Sequence, residues 1–282
     1  MHHPSTPQDA LLELRYGAQT KPSPLLWNAQ IEALLQHRSV RDYLPDPLPP
    51  GALESMVAAA QSASTSSNLH QWSVVAVSDP QLKAQVADLA SGKDKQANGF
   101  IKQAPLVLLW VADLSRNHRI SCEAGASTLV HDYLDAFVMA TVDAALAAQN
   151  AVVAAESMGL GVVYIGAVRN QAQALAELIQ LPQRSFVCFG LVVGRPAQRP
   201  DKPETVRPRP PQQVVLHHNR YDHAQSMRGL EAYEAEFHKF REGIGMGQWT
   251  WKDSVVYSNQ FEYMDGRENL RQAVVARGFK LL

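Results

Sequence analysis

Val142-Asp143-Ala144-Ala145-Leu146-Ala147-Ala148-Gln149-Asn150 lies within the longest helical pattern of the chain, which runs from about Thr128 to Met158 and is apolar nearly all round. A helix without a wide polar face belongs inside a structure. Gly159 and Gly161 read as C-terminal breakers, and Val162-Val163-Tyr164-Ile165 follows as a strand. Gly166 then marks a place where backbone can come close to a flat ligand. The apolar run from Ala136 to Gly166 raises the question of a membrane span, but Thr141, Asp143, Gln149, Asn150 and Glu156 interrupt it. Charge at mid-bilayer is expensive, so the expectation is a buried core helix and no membrane partner. Asp143, Gln149 and Asn150 then need partners, either at a subunit interface or within the chain.

Working outward, the flanks supply helices and strands without a regular β-α-β alternation, which argues for an α+β fold. Residues 1 to 26 carry a short helical pattern, Leu11, Leu12 and Leu14, and read as an arm preceding the main fold. Asn28 can cap a helix to about Gln36, and Leu53, Met56, Val57 and Ala60 restart a helical period after the prolines 45, 47, 49 and 50. Asp79-Pro80 opens another helix to about Ala90, Ser73 to Val77 reads as a strand, and Leu106 to Val111 as a fully buried one. Asp113 to Ser127 reads as a loop. Asn170 is expected to cap a helix ending before Pro182, and Phe186 to Val193 to form a strand that includes Cys188 as core. Met227 to Arg241 and Arg267 to Val275 read as late helices.

Length and composition bound the rest. At 282 residues the chain can bury a full core, and 26 Lys plus Arg against 27 Asp plus Glu leave no global field for nucleic acid or an anionic membrane. Any anion site must therefore be local. Two cysteines, Cys122 and Cys188, make no disulfide framework, and Met1-His2-His3-Pro4 lacks the charged start and apolar block of a secretory signal. The expected location is cytoplasmic. His118 and Cys122 lack metal-ligand spacing, so no metal site is expected.

Three stretches carry chemistry. His37-Arg38-Ser39-Val40-Arg41 packs guanidiniums, an imidazole and a hydroxyl between a helix and a proline-rich turn; in an extended segment, alternation puts Ser39 and Arg41 towards the same ligand as His37. It is either an anion site or a solvated basic loop. The hydroxyl-rich Ser64 to Trp72 stretch is pinned between a helix and a strand, where small residues let backbone amides approach a ligand. Arg207-Pro208-Arg209 places guanidiniums on a stiff extended segment. The chain contains no G-x-S-x-G elbow, H-E-x-x-H pair, Walker loop or G-x-G-x-x-G turn after a strand, which sets aside the reactions those motifs serve. What remains suits a phosphorylated, flat cofactor better than a protein nucleophile.

In order and spacing, the pentapeptide, the Ser64 to Trp72 loop, the Val142 to Asn150 block, Gly159 to Gly166 and Phe189-Gly190-Leu191 resemble the nitroreductase and flavin reductase superfamily. The similarity is to its oxygen-insensitive, NADPH-dependent major-nitroreductase branch and covers about Ile31 to Tyr221. It implies a mixed, mainly antiparallel sheet wrapped by helices, an intertwined homodimer, and FMN at the dimer interface. The implied organisation is an N-terminal arm (1–26), an FMN-binding core (27–221) and a C-terminal helical extension (222–282) contributing to the dimer and the nicotinamide site.

Carried over by residue, the resemblance assigns His37, Arg38 and Ser39 to the phosphate side and Arg41 to the flavin ring as an electrostatic stabiliser. Ser66, Ser67 and Asn68 match the loop reaching FMN from the other subunit, Tyr164, Ile165 and Gly166 the segment against the ring, and Arg207 and Arg209 a late basic pair on the phosphate. The implied activity is two-electron, ping-pong transfer from NADPH or NADH through FMN to nitroaromatics, quinones or similar small acceptors. Free-flavin reduction is the alternative, and flavin binding without turnover an alternative of another class. This chain departs from the pattern at four places. Asn98 or Gln96 stands for the usual flavin-contacting glutamine, Ala167 for a glycine, Arg241 and the region of Met246 for an NADPH-phosphate arginine pair, and the arm is additional.

Overall fold

The computed structural model describes residues 6–92, 98–198 and 205–282. In chain order they form α1 (Pro7–Tyr16), α2 (Ala29–Gln36), α3 (Ala52–Gln61), β1 (Trp72–Val77), α4 (Pro80–Ala90), α5 (Phe100–Gln103), β2 (Leu106–Asp113), α6 (Ser115–Glu123) and α7 (Leu134–Ser157). After these come β3 (Gly161–Ile165), α8 (Ala172–Leu178), β4 (Ser185–Gly194), α9 (His223–Met227), α10 (Leu230–Gly243), α11 (Trp251–Ser258) and α12 (Leu270–Ala276). The elements group into two compact units: the described residues of Met1–Arg38 with Gln198–Tyr263, and of Ser39–Ala197 with Met264–Leu282.

The larger unit is built on an antiparallel sheet of order β1-β2-β4-β3. β2 is buried along its whole length, as its unbroken apolar run requires. Its residues alternate between two cores: Val107, Leu109 and Val111 meet α4, α5 and α8, while Leu106, Leu108 and Trp110 meet α3 and α7. A third cluster joins Phe186 to Val274 and Phe279, so the C-terminal α12 returns to this unit. A parallel bridge from Ser39 to Val162 makes the strand pairing mixed.

α7 is the one helix among the described residues that is long and apolar enough to cross a membrane by length and composition. Its alanine face, Ala140, Ala144, Ala147, Ala151 and Ala155, is fully buried, and the small side chains let it lie close to the sheet and α3. The helix starts at Leu134 rather than Thr128, because a short 3-10 turn at Leu129–Asp132 ends in extended backbone at Tyr133. Gly159 (φ +73) is the left-handed residue that ends the helix, whereas Gly161 belongs to β3.

Two further expectations are corrected here. Asp113 to Ser127 is not all loop: α6 forms there with no buried side chain, so it lacks the apolar stripe by which a helix is read. Asn170 does not cap α8; its amide donates to Asp265 Oδ2 at 2.9 Å, and the residue before the helix is Gln171. A tertiary partner outcompetes the local cap.

In the smaller unit Thr6 and Asn28 accept the N-terminal amides of Asp9 and Ile31 and so start α1 and α2. The single helix expected over Met227–Arg241 is split at Gly229 (φ +87) into α9 and α10. A Cβ there would come within 2.9 Å of Gln213 and 3.3 Å of Pro211, so the turn depends on glycine. A reciprocal capping box between Thr250 and Asp253 opens α11.

Candidate functional site

In the larger unit, Ser39, Val40 and Arg41 lie along the edge of β3. The Val40 N–H donates to the Val162 carbonyl at 2.9 Å, and the Tyr43 hydroxyl donates back to the Val40 carbonyl at 2.6 Å. Val40 is buried while Ser39 and Arg41 are exposed, the alternation expected of extended backbone. The approach is possible because residue 161 is glycine. A Cβ there would lie 2.7 to 2.9 Å from the Cβ and both methyls of Val40. The same strand carries Tyr164 near its end, whose ring packs edge-on against Phe189 at 5.4 Å and whose hydroxyl donates to Gln149 Oε1 at 3.4 Å. Ile165 is buried beside it, and a Cβ on Gly166 would come 3.2 Å from the Arg169 guanidinium. That guanidinium donates to the carbonyl of Cys188, which sits at a bulge in the β2–β4 pairing. Burial raises the Cys188 thiol above its ordinary pKa, as suits a core side chain.

The hydroxyl-rich stretch is a built loop with positive φ at Ser67 (49°), Asn68 (56°) and His70 (50°). Left-handed backbone costs a residue other than glycine on the order of 1 kcal/mol, so something must hold it. Two residues outside the loop do. Asp143, 1% exposed on α7, accepts the Ser66 N–H on Oδ1 at 2.9 Å. Arg116 on α6 donates to the carbonyls of His70 and Trp72, each at 2.8 Å, and to Asp113 Oδ2 at 2.7 Å. The internal alternative thus holds for Asp143 Oδ1, while its buried Oδ2 has no hydrogen-bond partner within the described residues, and it holds for Asn150, whose amide donates to the Ala59 carbonyl at 3.1 Å. Sequence reading names neither anchor as part of the site. Asp143 is noticed as a charge in an apolar helix that needs a partner and as part of the Val142–Asn150 block, and Arg116 lies in the stretch read as loop.

In the smaller unit, His37 and Arg38 leave the C-terminus of α2 half-exposed, and Arg207 and Arg209 are exposed on either side of buried Pro208. The Arg207 guanidinium lies 5.8 Å from the centre of the Phe240 ring. Burial raises the Tyr233 hydroxyl above its usual pKa, and Arg209 and Arg207 pull in the opposite direction.

Among the residues at which the chain departs from the family pattern, Asn98 donates to the Ala90 carbonyl at 2.8 Å and so serves the end of α4. Gln96 lies outside the described residues. Arg241 closes the following turn by donating to the Met246 carbonyl at 2.5 Å. Among the described residues no group of His, Cys, Asp and Glu is placed to hold a metal ion.

A model of the Nitroreductase family matches residues 34–195, and one of the Nitroreductase family, C-terminal domain, matches 207–282. The chain belongs to the nitroreductase family. Within this family it is similar to the FMN reductase (NADPH) of Bacillus subtilis, 34% identical over 259 residues that make up 89% of this chain and 98% of the relative. It is also 34% identical to the oxygen-insensitive NADPH nitroreductase of Salmonella typhimurium over 228 residues, 80% of this chain and 88% of that one. Among solved structures, a hypothetical oxidoreductase from Bacillus subtilis superposes with a TM-score of 0.82 at 31% identity, covering 90% of this chain and 99% of its own. The NADPH:FMN oxidoreductase of Vibrio harveyi, complexed with NAD+, gives 0.75 at 29%, with the same coverage. The nitroreductase fold and its α+β class are as the sequence led one to expect, and α1 precedes the residues matched by either family model.

Proposed function

We propose that this nitroreductase-family chain is an FMN-dependent NAD(P)H oxidoreductase that passes two electrons, ping-pong, to a small acceptor such as a nitroaromatic or quinone. The observation that carries the reading is Ser39–Arg41 held at the β3 edge with a hydroxyl and a guanidinium exposed, beside the strand that carries Tyr164. The donor set fits FMN. In the larger unit Ser39, Arg41, Ser66, Ser67, Asn68 and the Tyr164–Gly166 segment offer hydroxyls, amides and an aromatic face. In the smaller unit Arg38, Arg207 and Arg209 offer the cations a phosphate needs, and His37 offers an imidazole nitrogen. When bound, FMN supplies the carrier that accepts hydride from a nicotinamide and reduces the acceptor.

The chain's own part is positioning and charge. The Arg41 guanidinium would favour the extra negative charge of the reduced cofactor, which is electrostatic preorganisation rather than proton transfer. No side chain acts as a nucleophile. Leu134, Val138, Val142 and Leu146, spaced four apart on α7, are 45 to 50% exposed. Such an apolar stripe supports a homodimer in which Ser66–Asn68 serves the partner's cofactor and 222–282 contributes to the nicotinamide site. Free cysteines at 122 and 188 fit a cytoplasmic location.

The test is the absorption spectrum of the purified protein before and after anaerobic NADPH and NADH. A yellow protein bleached by either nucleotide is expected, whereas a flavin that neither bleaches overturns the assignment. Arg38→Ala should mainly lose FMN, and Arg41→Ala should mainly shift its reduction potential. A second reading, reduction of free flavin, is favoured by the relative named FMN reductase (NADPH). Steady-state rates with FMN against a nitroaromatic or a quinone separate the two.

A further inference from the structure

We propose that Arg15 is a positioning residue for the phosphate end of the flavin site, tying the His37–Arg38 segment to the Arg207–Arg209 segment. This rests on the reading that those cations receive the FMN phosphate. Arg15 lies on α1, in the arm, and is only 4% exposed. Its Nη1 donates to the Arg207 carbonyl at 2.6 Å and its Nη2 to the His37 carbonyl at 2.7 Å. Nε and Nη2 both donate to the Leu35 carbonyl, near the C-terminus of α2, where helix carbonyls lack intrahelical partners. The tie is returned through the backbone, because the Arg209 N–H donates to the Arg15 carbonyl at 2.7 Å. One residue is thus bonded to both peptide segments that carry the expected phosphate cations.

The choice of arginine follows from this task. Burying a guanidinium is costly unless its donors are satisfied, and here they are spent on main-chain oxygens of separate segments. The planar fork fixes the angle between its bonds, so the spacing of the His37 and Arg207 carbonyls is set by covalent geometry. Lysine, a single nitrogen on a flexible stem, cannot span them in this way. The segments carry like charges that oppose their convergence on one anion, and a tie independent of the anion offsets that cost before binding.

The experiment compares FMN with riboflavin, which lacks the phosphate, by fluorescence titration of the flavin-stripped 282-residue chain in wild-type, Arg15→Lys and Arg15→Met forms. Arg15→Lys should weaken FMN binding by about tenfold, equivalent to about 1.4 kcal/mol, and leave riboflavin within about twofold. Arg15→Met should do the same or more if it folds; if it does not, the lysine variant decides. A general structural defect would weaken both flavins alike, and that result, or an unchanged FMN to riboflavin ratio, overturns the proposal. A wild-type chain that does not favour FMN over riboflavin overturns the phosphate reading itself, and the tie with it.

Discussion

Gly161→Ala tests whether the edge of β3 is where Ser39 and Arg41 are set. The added methyl would meet Val40 Cγ2, Cβ and Cγ1 at 2.7, 2.8 and 2.9 Å. Carbon atoms pack at about 3.5–4.0 Å, so the shortfall is close to 1 Å. Val40 is stiff at χ1 and 5% exposed, so it cannot swing away, and the displacement falls on the backbone. Moving the Val40 N–H by that amount from its 2.9 Å position on the Val162 carbonyl breaks the bond. Overpacking costs about 1–3 kcal/mol and a lost backbone hydrogen bond about 1, giving roughly 2–4 kcal/mol in all. For a domain of this size the melting temperature should fall by about 5–12 °C. FMN affinity should fall by about tenfold or more, since the displaced segment carries Ser39 and Arg41. Urea unfolding, with the slope checked for constancy, measures the first effect, and flavin fluorescence titration the second. Adding Val40→Gly to Gly161→Ala restores the space, and the double-mutant cycle should return a favourable coupling of about 1–2 kcal/mol. A Gly161→Ala protein as stable as wild type, with an unchanged FMN dissociation constant, would refute the reasoning.

The other perturbations address the loop and the C-terminus. Asp143→Ala leaves the Ser66 N–H without its acceptor and should cost about 1–3 kcal/mol, together with FMN affinity; Asp143→Asn, which keeps an oxygen, should lose less in the same denaturation and titration assays. Arg116→Ala frees the His70 and Trp72 carbonyls, but the arginine is half-exposed, so the loss of global stability should be small, about 1 kcal/mol. Faster hydrogen exchange confined to residues 66–72 is the expected signature, and unchanged exchange there would count against the anchor. Asp132 is held below its ordinary pKa of 3.8 by the hydrogen bond from Lys280 and then by Arg184. A carboxylate with a depressed folded-state pKa stabilises the fold above its unfolded pKa and loses that contribution as pH falls through the folded value. Asp132→Asn should therefore lower the melting temperature at pH 7, and the gap should close below about pH 4. A gap that persists in acid would mean that the residue acts by packing rather than charge.

The fold was legible where local chemistry and tertiary packing agree. Asn28, and Asp79 with Pro80, start the helices their types predict, and β2 is as buried as its run of apolar residues implies. Legibility failed where a residue answers to a distant partner. Asn170 has the chemistry of a cap but bonds to Asp265, and α6 has no apolar face by which to be found. Gly161 reads as a helix breaker because a linear pattern does not contain Val40 across the strand edge. The same holds for the site. The polar residues proposed to contact the cofactor announce themselves by type and clustering, while Arg116 and Arg15 hold backbone from far along the chain and leave no local signal, and Asp143 signals only that it needs a partner.

That asymmetry has a physical basis. Ser39, Arg41, Ser67, Asn68 and Arg209 are exposed, so their donors stay hydrated until a ligand replaces the water, and little folding energy depends on them. Val40, Asp143 and Arg15 are buried, and each fixes the backbone from which an exposed group projects. Fixing that backbone during folding removes an ordering cost from the binding step, which raises affinity without adding a contact. Substitutions should therefore sort into two populations. Exposed positions should change flavin affinity or potential at nearly constant melting temperature, and buried anchors should change both together. An exposed contact residue whose loss unfolds the protein, or a buried anchor whose loss alters neither quantity, would break the division.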